Sequence, residues 1–536
     1  MSVGLTHFFS RDGKIVIVVF FCLVAAWAAL PWTLAYVPSQ DGPSHINAAA
    51  ILRDIVFRQP TRNAEFYMIR PHFFTNLGVD FIAVPLMSQI GPVATEKLIV
   101  TLAVILVPMG ALAVTTSFVR QPSPAVLLLV PYGYTSTIVL GNYNFILSAA
   151  LALFIVAAVI RDRPPNASRL RFAAISAALV LAAAIHPAGP ILALYFGGVF
   201  VLTRELVNPS DPSLPPVTRW RRVLFRYGGM ALPTLAILAT FFFFSPPSDA
   251  AYQRSPYLRV RELIMGWELY KVDRSEIAYC LALGATLVAI AAICLWQRSK
   301  RDRATSRADA LIMVAIAAFF LYMIAPNKMS GGDAFDARIE MFPLLFFIAW
   351  AGCQPMPKGA WTLIFVLALG IDCAFITTAY RVDQRASRDM QAYFQLGELI
   401  PPNSLVLPII GEEHAESGDQ HLSEMKAHIY QHLHNDIAVL QSAIFLDNWN
   451  AHFSVANIMF KPELDPYRFR DSMPPANELR DYEAATGKHV DYLWLWRLQP
   501  GTPSHDQAAA LASSDFEAVK VIEGRELTGL YRRRAP

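Results

Sequence analysis

The sequence predicts a polytopic α-helical membrane fold with a small α/β domain at its C-terminal end, and three observations carry that prediction. Of 536 residues, 54% are hydrophobic and only 16% are charged, against roughly 25% charged residues in a soluble protein. The deficit is uneven: residues 15–40, 121–160 and 172–203 carry no Lys, Arg, Asp or Glu at all. Each of these runs reaches or exceeds the roughly 20 apolar residues that cross a bilayer as a helix. From Tyr380 onward the composition becomes that of an ordinary soluble protein.

The first run is longer than the h-region of a cleaved signal peptide, about 7–15 residues, and no small-residue cleavage site follows it. It reads as a retained span. Arginine-rich clusters at 161–171, 204–226 and 298–307 punctuate the later runs, and the positive-inside bias places all three on the cytoplasmic face. An even number of crossings must separate neighbouring clusters. Residues 172–203 therefore form a hairpin turning at His186-Pro187-Ala188-Gly189-Pro190, where the prolines break the helix. Residues 121–160 form another, turning at 141–144. By the same parity 72–90 is not a crossing, and Asp80 in its middle would be costly in hydrocarbon. That stretch reads as a helix lying on the outer membrane surface.

These readings give about eleven crossings, near 14–37, 96–119, 124–140, 145–160, 172–185, 188–203, 227–245, 277–296, 308–325, 338–352 and 359–379. An odd count with a cytoplasmic N-terminus puts the tail outside. Residues 1–379 are then the transmembrane domain, with an outer-face loop and interfacial helices at 38–95. Residues 380–536 are a periplasmic α/β domain of a multi-pass bacterial inner (cell) membrane protein. In that tail, helices are expected near 387–400, 421–434 and 506–518, and strands near 404–410, 492–496 and 527–531. Cys22, Cys280, Cys294, Cys353 and Cys373 all lie in or beside spans, so the exported domain has no disulfide to rely on. There is no glycine-rich nucleotide loop and no internal repeat, and no nucleic-acid partner is expected.

Chemistry is sought where polar residues cluster beside apolar runs on the outer face. Pro38-Ser39-Gln40-Asp41-Gly42-Pro43-Ser44-His45 follows the first span and leads into a helix near 44–57, with Pro43 and Ser44 suited to its start. Asp41 stands just outside that helix, where a carboxylate serves as a helix cap, a general base or a metal ligand. His45 follows within the first turn. The loop Asn327-Lys328-Met329-Ser330-Gly331-Gly332-Asp333-Ala334-Phe335-Asp336-Ala337-Arg338 brings Lys328 and Arg338 to headgroup depth, where they hold a phosphate or simply snorkel. Asp333 and Asp336 offer carboxylates in the same loop. His186, Asn142 and Asn144 sit at hairpin tips, as sugar or phosphate contacts or as plain turn residues. Arg70, His72 and Asp80 share the interfacial segment, and residues 252–271 mix aromatics with Arg254, Arg259 and Arg261. In the tail, His428 and His432 have the i,i+4 spacing of a zinc pair, with His414, His421 and His434 nearby. Their intervening Ile-Tyr-Gln lacks a catalytic glutamate, so a polar helix face is the expectation and no metal site is assigned.

The layout resembles the GT-C superfamily of membrane glycosyltransferases, and the Arg70-Pro71-His72-Phe73 stretch resembles the start of the surface helix in protein-mannosyltransferase-like members. In that superfamily a first span leads to an outer loop with an acidic residue, then surface helices, many spans and often a periplasmic C-terminal domain. Asp41 occupies the acidic position. Gly42 stands where a second acid is frequent, and 141–144 carries no acidic pair. The resemblance implies a sugar donor carried on a polyprenyl phosphate and inverting transfer to an acceptor hydroxyl, with Asp41 as catalytic base. The acceptor is a glycan, lipid or protein. His45, Arg70, His72, Asp80, Asn142, His186, Lys328 and Arg338 are the implied substrate-binding set. A divalent metal, Mg2+ or Mn2+, stays open, as do two other functions for a polytopic chain: a transporter or lipid flippase, and an inactive GT-C-like scaffold.

Overall fold

A computed structural model of the chain describes residues 12–71, 75–162, 168–207, 213–244, 255–270, 275–300, 306–328, 335–411, 427–452, 456–469, 476–522, 524 and 526–534. Among these, eight helices are long and apolar enough to cross a membrane: Gly13–Thr33, Pro92–Thr116, Tyr143–Arg161, Ala188–Val207, Pro216–Phe244, Glu276–Ser299, Arg307–Ile324 and Lys358–Gly397. The chain is a multi-pass membrane protein.

Three of the eleven expected crossings are helical but shorter. Residues 124–140 form the 3-10 helix Pro124–Gly133 and the short helix Ser136–Val139; Arg169–Ile185 has 17 residues; the last divides into Phe335–Ile339 and Met341–Gly352. Pro124 and Pro131 remove amide donors from the first of these. Its side chains are wholly buried, and irregular backbone at membrane depth is tolerated where protein rather than lipid surrounds it. The helix Gly78–Ile90 has 13 residues, or about 20 Å, too short for a hydrocarbon core of about 30 Å. It suits the surface position that parity requires.

Tyr143–Arg161 is the centre of the bundle, with 83% of its apolar window buried between Pro92–Thr116 and Ala188–Val207. Buried Ala149, Ala150, Ala152 and Ala157 let neighbouring helices come close. Lys358–Gly397 has 40 residues, or about 60 Å, twice the hydrocarbon thickness. Its second half must rise out of the membrane, and position 380 lies inside this continuous helix. There Tyr393 packs its ring 4.7 Å from Trp494 and 4.3 Å from Trp496, and Phe394 stacks on Tyr36 at 3.7 Å.

The strands are β1 (Tyr67–Ile69), β2 (Leu405–Ile410), β3 (Ile444–Phe445), β4 (Ile458–Phe460), β5 (Tyr492–Leu498), β6 (Phe516–Ile522) and β7 (Leu527–Arg533). Five of them form one sheet in the order β3-β2-β5-β7-β6, parallel on the β2 side and antiparallel on the β7 side. Successive residues of β5 point to opposite faces. Trp494 and Trp496 join the core that is continuous with the membrane bundle, while Leu493 and Leu495 join a second core with Ala508 and Leu511 of the helix Pro503–Asp515. That second core also takes Ala48, Ile51, Phe66 and Tyr67 from the N-terminal loop region. The antiparallel pair β1–β4, with Tyr67 opposite Phe460 and Ile69 opposite Ile458, ties the same region to the tail.

Two expected tail elements are corrected. Of the helix expected at 421–434, residues 421–426 lie outside the described residues and 427–433 are turns; the helix is His434–Gln441. The turn is drawn onto the Asp41 loop, where the His428 amide donates to Gln40 Oε1 at 2.8 Å. The helix expected to end at 518 ends at Asp515, and β6 begins at once, because 516–522 finds a hydrogen-bonding partner in β7.

Candidate functional site

The segment carrying Asp41 is fixed by backbone before any side chain acts. The Gln40 amide donates to the Val139 carbonyl at 2.8 Å and the Asp41 amide to the Leu140 carbonyl at 3.3 Å. Such close approach demands glycine on both sides. Gly141 has φ +79, and a Cβ there would come within 2.5 Å of the Gly42 nitrogen. A Cβ on Gly42 would lie 2.1 Å from Glu96 Oε1. The Glu96 carboxylate is buried and accepts hydrogen bonds from the Ser39 hydroxyl at 2.8 Å and the Tyr143 hydroxyl at 2.7 Å. It thus fills the space beside residue 42, the position at which the sequence lacks a second acid.

Asp41 stands at the N-cap of Gly42–Val56, yet its carboxylate makes no capping hydrogen bond to that helix. The side chain is 30% exposed, and Oδ1 lies 3.6 Å from His432 Nε2 of the C-terminal domain. His432 and Trp449 have nearly parallel rings with centroids 6.3 Å apart, and the aromatic edge continues to His452, stacked on Tyr467 at 4.2 Å. Beneath it, Asn435 accepts from Asn47 at 2.8 Å and donates to Ser44 Oγ at 3.2 Å. The helix that starts at Asp41 is therefore clasped by the tail.

One turn on, the His45 ring lies 6.2 Å from Tyr143. His186 ends the helix Arg169–Ile185, its Nδ1 accepting from the Ala188 amide at 3.2 Å and its ring meeting Phe145 edge-on at 5.6 Å. The Arg338 guanidinium lies 5.7 Å from the same Phe145 ring. Burial pushes the His45 imidazole down to about 4 and that of His186 to about 3, and the Arg338 charge adds to both. Burial also holds His432 at about 4, partly offset by Asp447. The structure thus brings together Asp41, three neutral imidazoles and one guanidinium. A cation beside neutral hydrogen-bonding rings suits a phosphate, and a partly exposed carboxylate suits proton abstraction.

The other expected residues are placed elsewhere. Arg70 donates through Nε to the Ala456 carbonyl at 3.0 Å, and its amide donates to the Asn457 carbonyl at 2.9 Å. Asp80 is buried, its carboxyl raised to about 7 by desolvation, and it accepts from the Asn457 amide group. Both residues hold the tail against the surface helix. Asn144 accepts from the Val79 amide at 2.7 Å and donates to the Asn76 carbonyl at 3.0 Å, fixing the start of that helix. Asn142 is the N-cap residue of Tyr143–Arg161 with no side-chain cap bond, and Lys328 is exposed. His72, Asp333, Arg254, His414 and His421 lie outside the described residues. Asp336 is buried 3.5 Å from Arg259, which also donates to the Tyr322 and Ala325 carbonyls at 2.6 and 2.7 Å. This pair braces the segment before Arg338. Among the described residues no group of three His, Cys, Asp or Glu side chains is arranged to hold a metal ion. Asp372, in the last span, is buried with no hydrogen-bond partner for either oxygen among the described residues.

Sequence reasoning missed one residue of the site and misassigned another. Glu96 opens the second apolar run, and a charge at the mouth of a span was its one visible signal. His432 was singled out only for its spacing from His428 and read as part of a polar helix face; its place beside Asp41, nearly 400 residues away, gave no signal in the sequence.

No family model matches the sequence, and no curated protein matches it. Solved structures do. ArnT from Cupriavidus metallidurans, solved bound to undecaprenyl phosphate, aligns over 97% of this chain and 98% of its own, with a TM-score of 0.52 and 13% identity. The arabinofuranosyltransferase AftD from Mycobacteria aligns over 97% of this chain at a TM-score of 0.52 and 15% identity, the chain spanning 40% of that longer protein. The chain shares its fold with these two solved structures.

Proposed function

We propose that the protein transfers a hexosyl or pentosyl group from a polyprenyl-phosphate carrier to an acceptor hydroxyl at the periplasmic face of a bacterial inner membrane. The observation that carries this reading is the Asp41 carboxylate, held at the N-cap of Gly42–Val56 3.6 Å from His432, with His45 one turn on and the Arg338 charge acting on His45 and His186. A neighbour in fold was solved with undecaprenyl phosphate, which supports a lipid-phosphate donor.

Asp41 takes the proton of the acceptor hydroxyl as its oxygen attacks the anomeric carbon. The bond from that carbon to the phosphate oxygen breaks on the opposite face, its electron pair leaving with the lipid phosphate, and the configuration inverts. Arg338 meets the phosphate with paired donors. His45 and His186, kept neutral by burial and by Arg338, donate to the phosphate or sugar without adding charge of their own. Glu96 and the two glycines position the Asp41 loop. His432 sets the orientation of the carboxylate from the tail. A divalent metal at this site would be held by Asp41 and would supply charge stabilisation for the leaving phosphate.

The test is sugar release from radiolabelled polyprenyl-phosphate sugars, with wild type and Asp41→Asn in the same membranes. Transfer or hydrolysis by wild type, lost in a variant of equal thermal stability, is the expected result. Equal turnover in both would remove Asp41 from the chemistry. Lipid movement without sugar release would favour a flippase.

A further inference from the structure

At the end of the bundle away from Asp41, the helices Arg169–Ile185 and Pro216–Phe244 enclose an open cleft of about 570 Å3 lined by Phe172, Thr218, Arg221, Arg222, Phe225 and Arg226. The separation follows from the helix between the two ends. Tyr143–Arg161 starts beside the Asp41 loop, and its 19 residues run about 28 Å to Asp162. There Arg226 grips the buried Asp162 carboxylate with two hydrogen bonds, at 2.7 and 2.9 Å.

Residues 218, 221, 222, 225 and 226 are three, four, seven and eight positions apart, which places them on one helix face. Phe172 forms the facing wall because residue 229 is glycine, where a Cβ would come within 3.3 Å of its ring. The Arg226 guanidinium lies 5.8 Å from the Phe172 ring and that of Arg221 5.5 Å from the Phe225 ring. The arginines are thus held against aromatic faces.

Charge at this end is out of balance. Residues 161–226 contain nine arginines, no lysine and three carboxylates. Asp162 is taken by Arg226; Glu205 faces Arg204 at 3.1 Å and Arg219 at 3.8 Å. No described carboxylate pairs with Arg221 or Arg222, and both are exposed. On the same helix Leu224 and Phe225 are 68% and 70% exposed, so apolar surface continues from the cleft into the lipid-facing side.

We propose that this cleft binds the phosphate headgroup of an anionic phospholipid in the leaflet at this end, which the arginine-rich loops assign to the cytoplasm. Two guanidiniums without carboxylate partners supply forked donors for phosphate oxygens. The phenylalanine walls and the apolar flank accept the first acyl carbons, which a free phosphate does not have. The site is independent of the transfer chemistry proposed for the other face.

The test uses the full chain in an uncharged detergent. Thermal unfolding is followed during titration with dioleoylphosphatidylglycerol, dioleoylphosphatidylcholine or inorganic phosphate, and bound lipid is counted by native mass spectrometry. The expected result is a saturable rise in Tm with phosphatidylglycerol alone. An Arg221→Gln/Arg222→Gln double variant should bind it about 30-fold more weakly, from about fivefold per surface arginine. Arg261→Gln, on a different helix, serves as the control and should bind it as wild type does. Equal lipid adducts and equal Tm shifts in wild type and double variant would overturn the proposal. So would a phosphatidylcholine or inorganic phosphate response as large as that to phosphatidylglycerol. Because both arginines are exposed and unpaired, the double variant should keep the wild-type Tm in lipid-free detergent; if it does not, the adduct count of Arg222→Gln alone decides.

Discussion

Asp41, His45, His186, Arg338 and His432 gather around one another with four of the five side chains partly exposed, whereas Arg70, Asp80 and Asn144 spend their polarity on a seam. In the sequence the two groups look alike, each a scatter of polar residues beside apolar runs. In the fold they differ in what satisfies them. Arg70 and Asp80 bond to Ala456 and Asn457, and Asn144 caps the start of the surface helix. The first group lies beside rings, charges and solvent. A buried polar residue paired with protein on a seam is structure; one that also borders solvent is placed to meet a ligand.

The comparison breaks most sharply at Asp41. Asp41→Asn keeps the shape and removes the base, so turnover should fall by about 10² to 10⁴ with Tm unchanged. Loss of less than tenfold would move Asp41 to the structural group. Gly141→Val attacks the same carboxylate through backbone. It forces a β-branched residue to φ +79 and a Cβ to within 2.5 Å of the Gly42 nitrogen. Activity should vanish together with about 1–3 kcal/mol of stability, read as a drop in Tm. Arg338→Gln should raise the donor KM about 10- to 100-fold, the worth of a charged hydrogen bond of about 1.5–3 kcal/mol. An unchanged donor KM with a lower Tm would assign Arg338 to packing.

The seam predicts the reverse pattern. Asn457→Ala removes the described hydrogen-bond donor to the buried Asp80 carboxyl, at a cost of about 1–3 kcal/mol. Limited proteolysis should then release the tail faster, while turnover per folded molecule stays near wild type. If instead kcat collapses with the tail still protected, Asp80 belongs with the reacting groups.

The membrane class and the shortness of the helix Gly78–Ile90 were legible because each rests on a local count of charges or apolar residues. So were β2, β5 and β7, short apolar runs bounded by turn signals. The partition of polar residues was not legible, because it depends on partners supplied from far along the chain. Asn457 decides what Asp80 does, and His432 reaches Asp41 across nearly 400 residues of sequence. The helix expected at 421–434 failed for a related reason: 427–433 closes as turns, with Gln431 bonded to His428 and Leu433 to Tyr430, while the His428 amide is drawn to Gln40. β3 and β6 were missed because two strand residues give no period, and because β6 is exposed along most of its length and shows no apolar alternation.

The smallest effect, and the one that separates the two regions by sign, is pH dependence of stability. His45 and His432 are held near 4 and His186 near 3, all below the ordinary 6.5. Between about 6.5 and 4 the unfolded chain binds protons that the native imidazoles refuse. Their contribution is therefore full above 6.5 and is lost as pH falls through that window. Asp80 runs the other way. Its carboxyl is raised from 3.8 to about 7, so the native state holds a proton that the unfolded chain releases, and its contribution fades as pH rises towards 7. Asp436, raised by burial in the tail, shares the sign of Asp80. Tm measured from pH 7 to pH 4.5 should accordingly fall less steeply in His45→Gln/His186→Gln than in wild type. In Asp80→Asn, where the opposing carboxyl is gone and the amide still meets Asn457, it should fall more steeply. Parallel curves for all three proteins would mean that neither the imidazoles nor Asp80 are buried in the way the fold places them.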